Sequence, residues 1–217
     1  MLRKEIVGED TLVIDFGGRV RALSSTIIGG GLRELTHVIF HRVDPDFNEP
    51  DPTRYAESLL ERLELPRKSS AVFLTAVDVV KEHVELEVDS PTKITLIASI
   101  GLSHGASIGT GGSGERPGTI NILLFVEKPL ADRALIDLAG IVSGVKAIAL
   151  ADLALSRGYN LGRVYATITD ALVIASRMDS EDREFYAGPA TSIGSEAAKL
   201  VYEAMISAGL KGMGVEE

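Results

Sequence analysis

The chain has no cysteine and no glutamine, and asparagine occurs only three times in 217 residues. Without cysteine there is no disulfide framework, no thiolate zinc or iron–sulfur site and no cysteine nucleophile. Four histidines (His37, His41, His83 and His104) allow at most a sparse oxygen–nitrogen metal site. A divalent cation is therefore an option rather than a requirement, and no cofactor is firmly implied. The joint scarcity of these thermolabile residues suggests a heat-adapted source. Clustered cations are also missing. The formal charge is −9, and a pair such as Arg67-Lys68 is too short to neutralise a run of phosphates, which argues against nucleic acid as a partner. The opening MLRKEIVGEDTLV holds no apolar segment of signal-peptide length, so the cytoplasm is the expected location. The longest apolar run, Ala134 to Ala151, is interrupted by Asp137 and Lys146. Charges are costly in hydrocarbon, so a buried helix is expected and not membrane insertion.

What remains is ample for a core, with 45% hydrophobic and 24% charged residues. The length suits one large domain, and no boundary between two units is apparent. Thr11 to Phe16 and Arg19 to Leu23 flank Gly17-Gly18 and predict a hairpin. Further strands are expected at Thr36 to Val43, Ala71 to Ala76, Val84 to Val88, Lys93 to Ser99, Leu161 to Thr167 and Ala171 to Ala175. Thr119 to Val126 is the most apolar and is assigned to the middle of the sheet. Asp51-Pro52-Thr53 marks a helix start, and that helix ends before Pro66. A long helix runs from Pro129 to about Ser156, with Gly140 and Gly144 one turn apart for close approach to another backbone. A final helix spans Thr191 to Ala208 and stops at Gly209. The predicted fold is α/β or α+β: a single domain, residues 1–217, with mixed β-sheet covered by long helices.

Gly101 to Gly118 (GLSHGASIGTGGSGERPG) has seven glycines in eighteen positions, between two apolar strands. Glycine adds no side-chain burial and costs backbone entropy, so such density points to main chain lying against a ligand or to a surface loop. Gly101-Leu102-Ser103-His104-Gly105 satisfies G-x-S-x-G formally, but no helix follows and the histidine is adjacent, unlike a nucleophile elbow. The Walker and dinucleotide patterns fail as well, because the glycines neither precede Lys-Ser/Thr nor open a helix. Ser103 and His104 could instead address a carbonyl or water, with amides of Gly105, Gly109, Gly111 and Gly112 stabilising an oxyanion. Arg116 suits a salt bridge or a substrate anion. Asp170 precedes an apolar strand, where it is either a turn residue or a base. Asn121 inside its strand needs partners, and Lys146 either snorkels to solvent or faces a pocket. His37 and His41 with Asp44 and Asp46 could form a metal cluster but equally a plain turn; no metal ligand is assigned.

Five segments taken together carry a resemblance: LSSTIIGGG (from Leu23), ASIGLSHGASIG (from Ala98), GTINILLFVEKPL (from Gly118), VYATITDALVIAS (from Val164) and YAGPATSIGSEAAKLVYEAM (from Tyr186). In order and spacing the chain resembles the adenosylcobinamide amidohydrolase family of corrinoid salvage, over nearly its whole length. The sharpest points are Gly118-Thr119-Ile120-Asn121 and Thr169-Asp170. The resemblance implies hydrolysis of the amide joining cobyric acid to its aminopropanol arm, with a corrinoid as substrate or ligand. It implies that Thr119, Asn121, Thr169 and Asp170 line the pocket, with the glycine loop, including Ser103, against the corrinoid or its amide. His104, Asp170 and Lys146 are the candidate catalytic groups; a homo-oligomer is compatible. Three positions depart from the family pattern. His104 stands where asparagine is usual, an early-strand asparagine is absent near Phe40-His41, and Ser143-Gly144-Val145-Lys146 replaces threonine-glutamate-alanine-lysine. The lost acid leaves a corrinoid-binding protein without turnover as the alternative.

Overall fold

A computed structural model of the chain describes residues 2–102, 105–109, 111–112, 118–156, 164–167, 169–178 and 182–211. Its strands are β1 (Arg3–Val7), β2 (Thr11–Ser24), β3 (Gly31–Arg42), β4 (Ser70–Thr75), β5 (Val84–Val88), β6 (Ile94–Gly101), β7 (Gly105–Ser107), β8 (Gly111–Gly112), β9 (Thr119–Val126), β10 (Val164–Thr167) and β11 (Ala171–Arg177). The helices are α1 (Pro52–Arg62), α2 (Asp132–Ser156) and α3 (Ser192–Lys211). A single α/β domain results. Eight strands form one sheet in the order β4-β3-β2-β11-β9-β6-β5, with β1 also on β2. Most neighbours are antiparallel, but β3 with β4 and β11 with β9 are parallel, so the sheet is mixed.

The sheet curls, and the sequence pattern shows why. On one face Leu12, Ile14, Phe16, Val38, Phe40, Phe73, Leu123 and Phe125 pack against each other rather than against a helix. The rings of Phe16 and Phe125 stand 5.2 Å apart, although β2 and β9 are separated by β11. Two polar links span the roll. Asn121 Nδ2 on β9 donates to the Leu74 carbonyl on edge strand β4 (3.3 Å), and Lys4 on β1 pairs with Glu85 on edge strand β5 (2.5 Å). The outer face is covered in two halves. Leu59 and Leu60 of α1 pack on Val13, Ile39 and Val72, while α2 and α3 cover β5, β6 and β9.

β9 is an inner strand and all eight of its residues are buried, as its largely apolar run predicts, with Thr119 and Asn121 the polar exceptions. Asp51 caps α1 by accepting from the Arg54 amide (3.0 Å), also as predicted.

Three local expectations are corrected. Gly17-Gly18 does not turn the chain, because β2 runs straight through it. Gly17 has φ +67°, its amide is held by Asp15 Oδ1 (2.8 Å), and β2 carries four residues between Asp15 and Val20 where β3 carries one. That irregularity is a bulge, which bends the strand and tightens the roll. α3 continues through Gly209 to Lys211. Finally, Gly140 and Gly144 face open space, with nothing within 4 Å of where a Cβ would stand. Long and apolar enough by composition to span a membrane, α2 here packs Leu135, Leu138, Val142 and Leu150 into the core and leaves its other face exposed.

Close approach does govern α3 at Gly194, where a Cβ would lie 2.1 Å from the Gly188 carbonyl oxygen. Gly194→Ala must displace main chain and is expected to cost about 1–3 kcal/mol in urea unfolding. His41 offers a second test. It is buried, its Nδ1 contacts Thr11 Oγ1 (2.8 Å), and its Nε2 contacts the Tyr55 hydroxyl (2.9 Å). Thr11 already donates its proton to Asp10 (2.7 Å), so Nδ1 is the donor and Nε2 accepts from Tyr55. Burial pushes the His41 pKa below its ordinary 6.5, reinforced by Arg62 and opposed by Asp10. The unfolded chain then binds the proton more tightly than the fold does. The His41 contribution is present above about 6.5 and is lost as pH falls from there toward the folded value. Unfolding midpoints are expected to drop from pH 7.5 to 5.5, with a flatter profile in His41→Leu.

Candidate active site

The roll leaves an open end where β9 and β11 begin and β2, β4 and β6 finish. Parallel pairing sets Ala171 beside Asn121, so Asp170, one residue before β11, lies beside the start of β9. Its carboxylate is fully engaged. Oδ1 accepts from the Ile120 amide (2.9 Å) and the Thr167 hydroxyl; Oδ2 accepts from the Thr167 amide (3.0 Å) and Lys146 Nζ (2.5 Å). Two oxygens offer about four lone-pair sites, and all are taken. Lys146 and Asp170 have side chains 14% and 13% exposed, so Lys146 does not snorkel away but is held inward. A second tie runs in parallel. Thr169 Oγ1 donates to the Gly118 carbonyl (3.3 Å) and therefore accepts from Thr119 Oγ1 (2.6 Å).

Asp170 lies between two clefts. One, of about 480 Å3, has Phe47, Val72, Phe73 and Leu74 as apolar wall and includes Thr119, Asn121 and Thr169. The other, of about 340 Å3, is lined by Ile120, Ala139, Val142, Ser143 and Lys146. Both contain Ser25, Asp170 and Ala171. Volumes of this order are those of ligand sites, about 300–1,000 Å3. Ser25 is itself fixed across β11, its amide donating to the Leu172 carbonyl and its hydroxyl accepting from the Leu172 amide, both at 2.9 Å.

The glycine-rich segment lies close to this corner. β7, β8 and β10 make a small antiparallel sheet that sets Gly105 opposite Thr167 and Ala106 opposite Gly112. Gly109, at φ +83°, lies between β7 and β8. Gly105, Gly111 and Gly112 are thus brought by main-chain pairing to the strand that ends in the Asp170 clamp. Ser103, His104, Thr110, Ser113, Glu115 and Arg116 lie outside the described residues.

Of the other residues singled out by sequence, Asn121 is buried inside the roll and lines the larger cleft. Ser99, its register partner on β6, has a buried hydroxyl without a hydrogen-bond partner. The histidine cluster does not assemble a metal site. Both His41 nitrogens are engaged, Asp44 caps the Asp46 amide (2.8 Å), and no group of three or more metal-ligating side chains occurs among the described residues. Sequence reasoning passed over Thr167 and Ser25. Thr167 was signalled by a hydroxyl three residues before a carboxylate, the spacing of a side-chain-capped turn. Ser25 was marked only as part of the LSSTIIGGG segment that helps carry the family resemblance, with no role assigned to it.

A curled mixed sheet, with two clefts at its open end joined through a part-buried Lys–Asp pair, defines an α/β protein. The chain belongs to the adenosylcobinamide amidohydrolase family, whose model matches residues 2–217; the family is one of hydrolases. A curated relative of that name from Halobacterium salinarum is 31% identical over 173 residues, covering 74% of this chain and 68% of the relative. Among solved structures, the PH0078 protein from Pyrococcus horikoshii OT3 is similar at a TM-score of 0.41 and 13% identity, over 96% of this chain and 82% of that one. That overlap is too loose to imply a common fold.

The clamp itself can be tested without substrate. Asp170→Ala strands a part-buried ammonium and leaves the Ile120 amide and the Thr167 amide and hydroxyl without their acceptor, and is expected to cost about 2–4 kcal/mol in urea unfolding, whereas Lys146→Met with Asp170→Leu should recover only the part due to the stranded charge.

Proposed function

We propose that this chain hydrolyses the amide between the cobyric acid and aminopropanol parts of adenosylcobinamide. Water oxygen bonds to the amide carbon, the carbon–nitrogen bond breaks, and a water proton leaves with the amine. The observation that carries this reading is the part-buried Lys146–Asp170 pair at the junction of two clefts, in a chain of amidohydrolase ancestry.

The hydrogen bonds divide the roles. A carboxylate with every lone-pair site filled is a poor acceptor for a proton from water, so Asp170 serves as a positioning residue. It fixes Lys146, whose ammonium has three N–H groups and gives one to Asp170. The remaining donors lie in the smaller cleft, suited to a developing oxyanion or the departing nitrogen. Water activation then falls to another group, and His104 is the proposed base. Thr119, Asn121, Thr169 and the main chain of the glycine segment form the corrinoid side of the site.

Helix geometry also bears on the missing acid. Residues two apart on a helix point about 200° from each other. Gly144 is exposed and open, whereas Lys146 lines the cleft. An acid at 144 would therefore face away from Lys146, so its loss from the family pattern leaves this corner intact. That supports turnover over binding alone.

Incubation with adenosylcobinamide, with and without divalent metal, is expected to release aminopropanol and adenosylcobyric acid. Lys146→Met should lower kcat about 10²–10³-fold, as for loss of an oxyanion donor, with little change in KM. Tight corrinoid binding with no product would favour the non-catalytic reading, and absence of binding would reject both.

A further inference from the structure

A third cavity, of about 520 Å3, shares Thr26 and Ile27 with the larger cleft. Arg33, Arg67 and Lys68 line it, and no acidic side chain does among the described residues. The chain carries 31 acidic residues against 22 Lys and Arg, so a concave surface lined only by the rarer sign is not what composition by itself would give. Concavity focuses the field of such charges on whatever enters.

The cations are prepared for an anion. Arg33 donates from Nε to the Gly30 carbonyl (2.9 Å), and Arg67 from Nε to Glu57 Oε1 (2.6 Å). Each bond orients a planar guanidinium through one nitrogen. The two terminal nitrogens of both arginines have no partner among the described residues. Lys68 likewise has no ion-pair partner among them, while Glu57 offsets part of the charge of Arg67. Three cations less one carboxylate leave two positive charges, which a phosphate group of about −1.5 to −2 neutralises. Its tetrahedral oxygens can also take two forks and an ammonium at once.

The rest of the wall is pinned main chain. Gly29 has φ +84°, and a Cβ on it would stand 2.6 Å from the Ser70 carbonyl oxygen; one on Gly30 would stand 2.7 Å from that of Thr26. The Ile28 carbonyl between them accepts from Thr26 Oγ1 (2.5 Å) and from the Val72 amide (3.2 Å). The Gly30 carbonyl that anchors Arg33 is thereby held in place, and the fork is set before an anion arrives.

We infer that this cavity binds a phosphate group, carried either by inorganic phosphate or by an ester whose organic part reaches the larger cleft past Thr26 and Ile27. The inference stands apart from the hydrolytic reading, and its test needs no turnover. Isothermal titration calorimetry of the full chain with inorganic phosphate, at ionic strength held constant with chloride, is expected to show saturable one-to-one binding. Arg33 and Lys68 are exposed, so Arg33→Gln with Lys68→Gln should keep the circular dichroism and unfolding midpoint of the wild type. Together these changes should weaken phosphate binding about tenfold or more. Arg33→Lys, which keeps the charge without the fork, should weaken it as well. Adenosine monophosphate binding more tightly than inorganic phosphate, with the same loss in the variants, assigns the ester; equal or weaker binding assigns the free ion. Absence of saturable phosphate binding, or equal binding by the wild type and the double variant, overturns the inference.

Discussion

One carboxylate holds the functional end of this molecule together. Asp170 receives the Ile120 amide from β9, the Thr167 amide and hydroxyl from β10, and the ammonium of Lys146 from α2. Three successive elements, β9, α2 and β10, are thereby fixed at one point. Removing a partner would leave a charge or several donors unsatisfied in a place where water cannot fully replace them. The short strand β10 ends in this clamp, and the glycine segment pairs onto β10. The position of the glycine main chain relative to the cleft thus follows from Asp170 as well.

The curl of the sheet makes such a point available. A flat sheet would keep β4 and β9 three strands apart, with no end to open. Here the bulge at Gly17 bends β2, phenylalanines from non-adjacent strands meet inside, and Asn121 ties β9 to β4. The helices then have distinct tasks. α1 seals the outer face at one side, while α2 both seals the other and delivers Lys146 to the cleft. With one side of α2 in the core and site, its opposite side, including Ile136, Ile148 and Leu155, is exposed.

Among the catalytic candidates the structure separates groups that sequence leaves equivalent. Lys146 and Asp170 are both plausible proton-handling residues on composition alone. Their hydrogen bonds make one an anchor and the other a donor with capacity to spare. The same reasoning bears on family divergence. An acid-to-glycine change two residues from Lys146 looks like loss of function in an alignment, but helical periodicity turns that position away from the cleft.

Local pattern was sufficient for the elements whose stability is local or whose burial is complete. The largely apolar run of β9 marked an inner strand, Asp51-Pro52 began α1, and the order of five segments marked the amidohydrolase family. Pattern failed where a glycine has two uses. Gly17 was read as a turn but serves a bulge, because the choice depends on whether β3 can run alongside both halves of β2. Gly140 and Gly144 were read as contacts with another backbone, yet among the described residues nothing lies within 4 Å of where their Cβ would stand. The sequence by itself determined most of the longer strands, the three helices and the family they belong to, since periodicity and motif order are properties of the chain, but it did not mark β1, β7 or β8. Only the tertiary structure decided that Lys146 and the Ile120 amide meet Asp170, because those contacts depend on strand order and on how α2 packs on the sheet, which long-range packing alone sets.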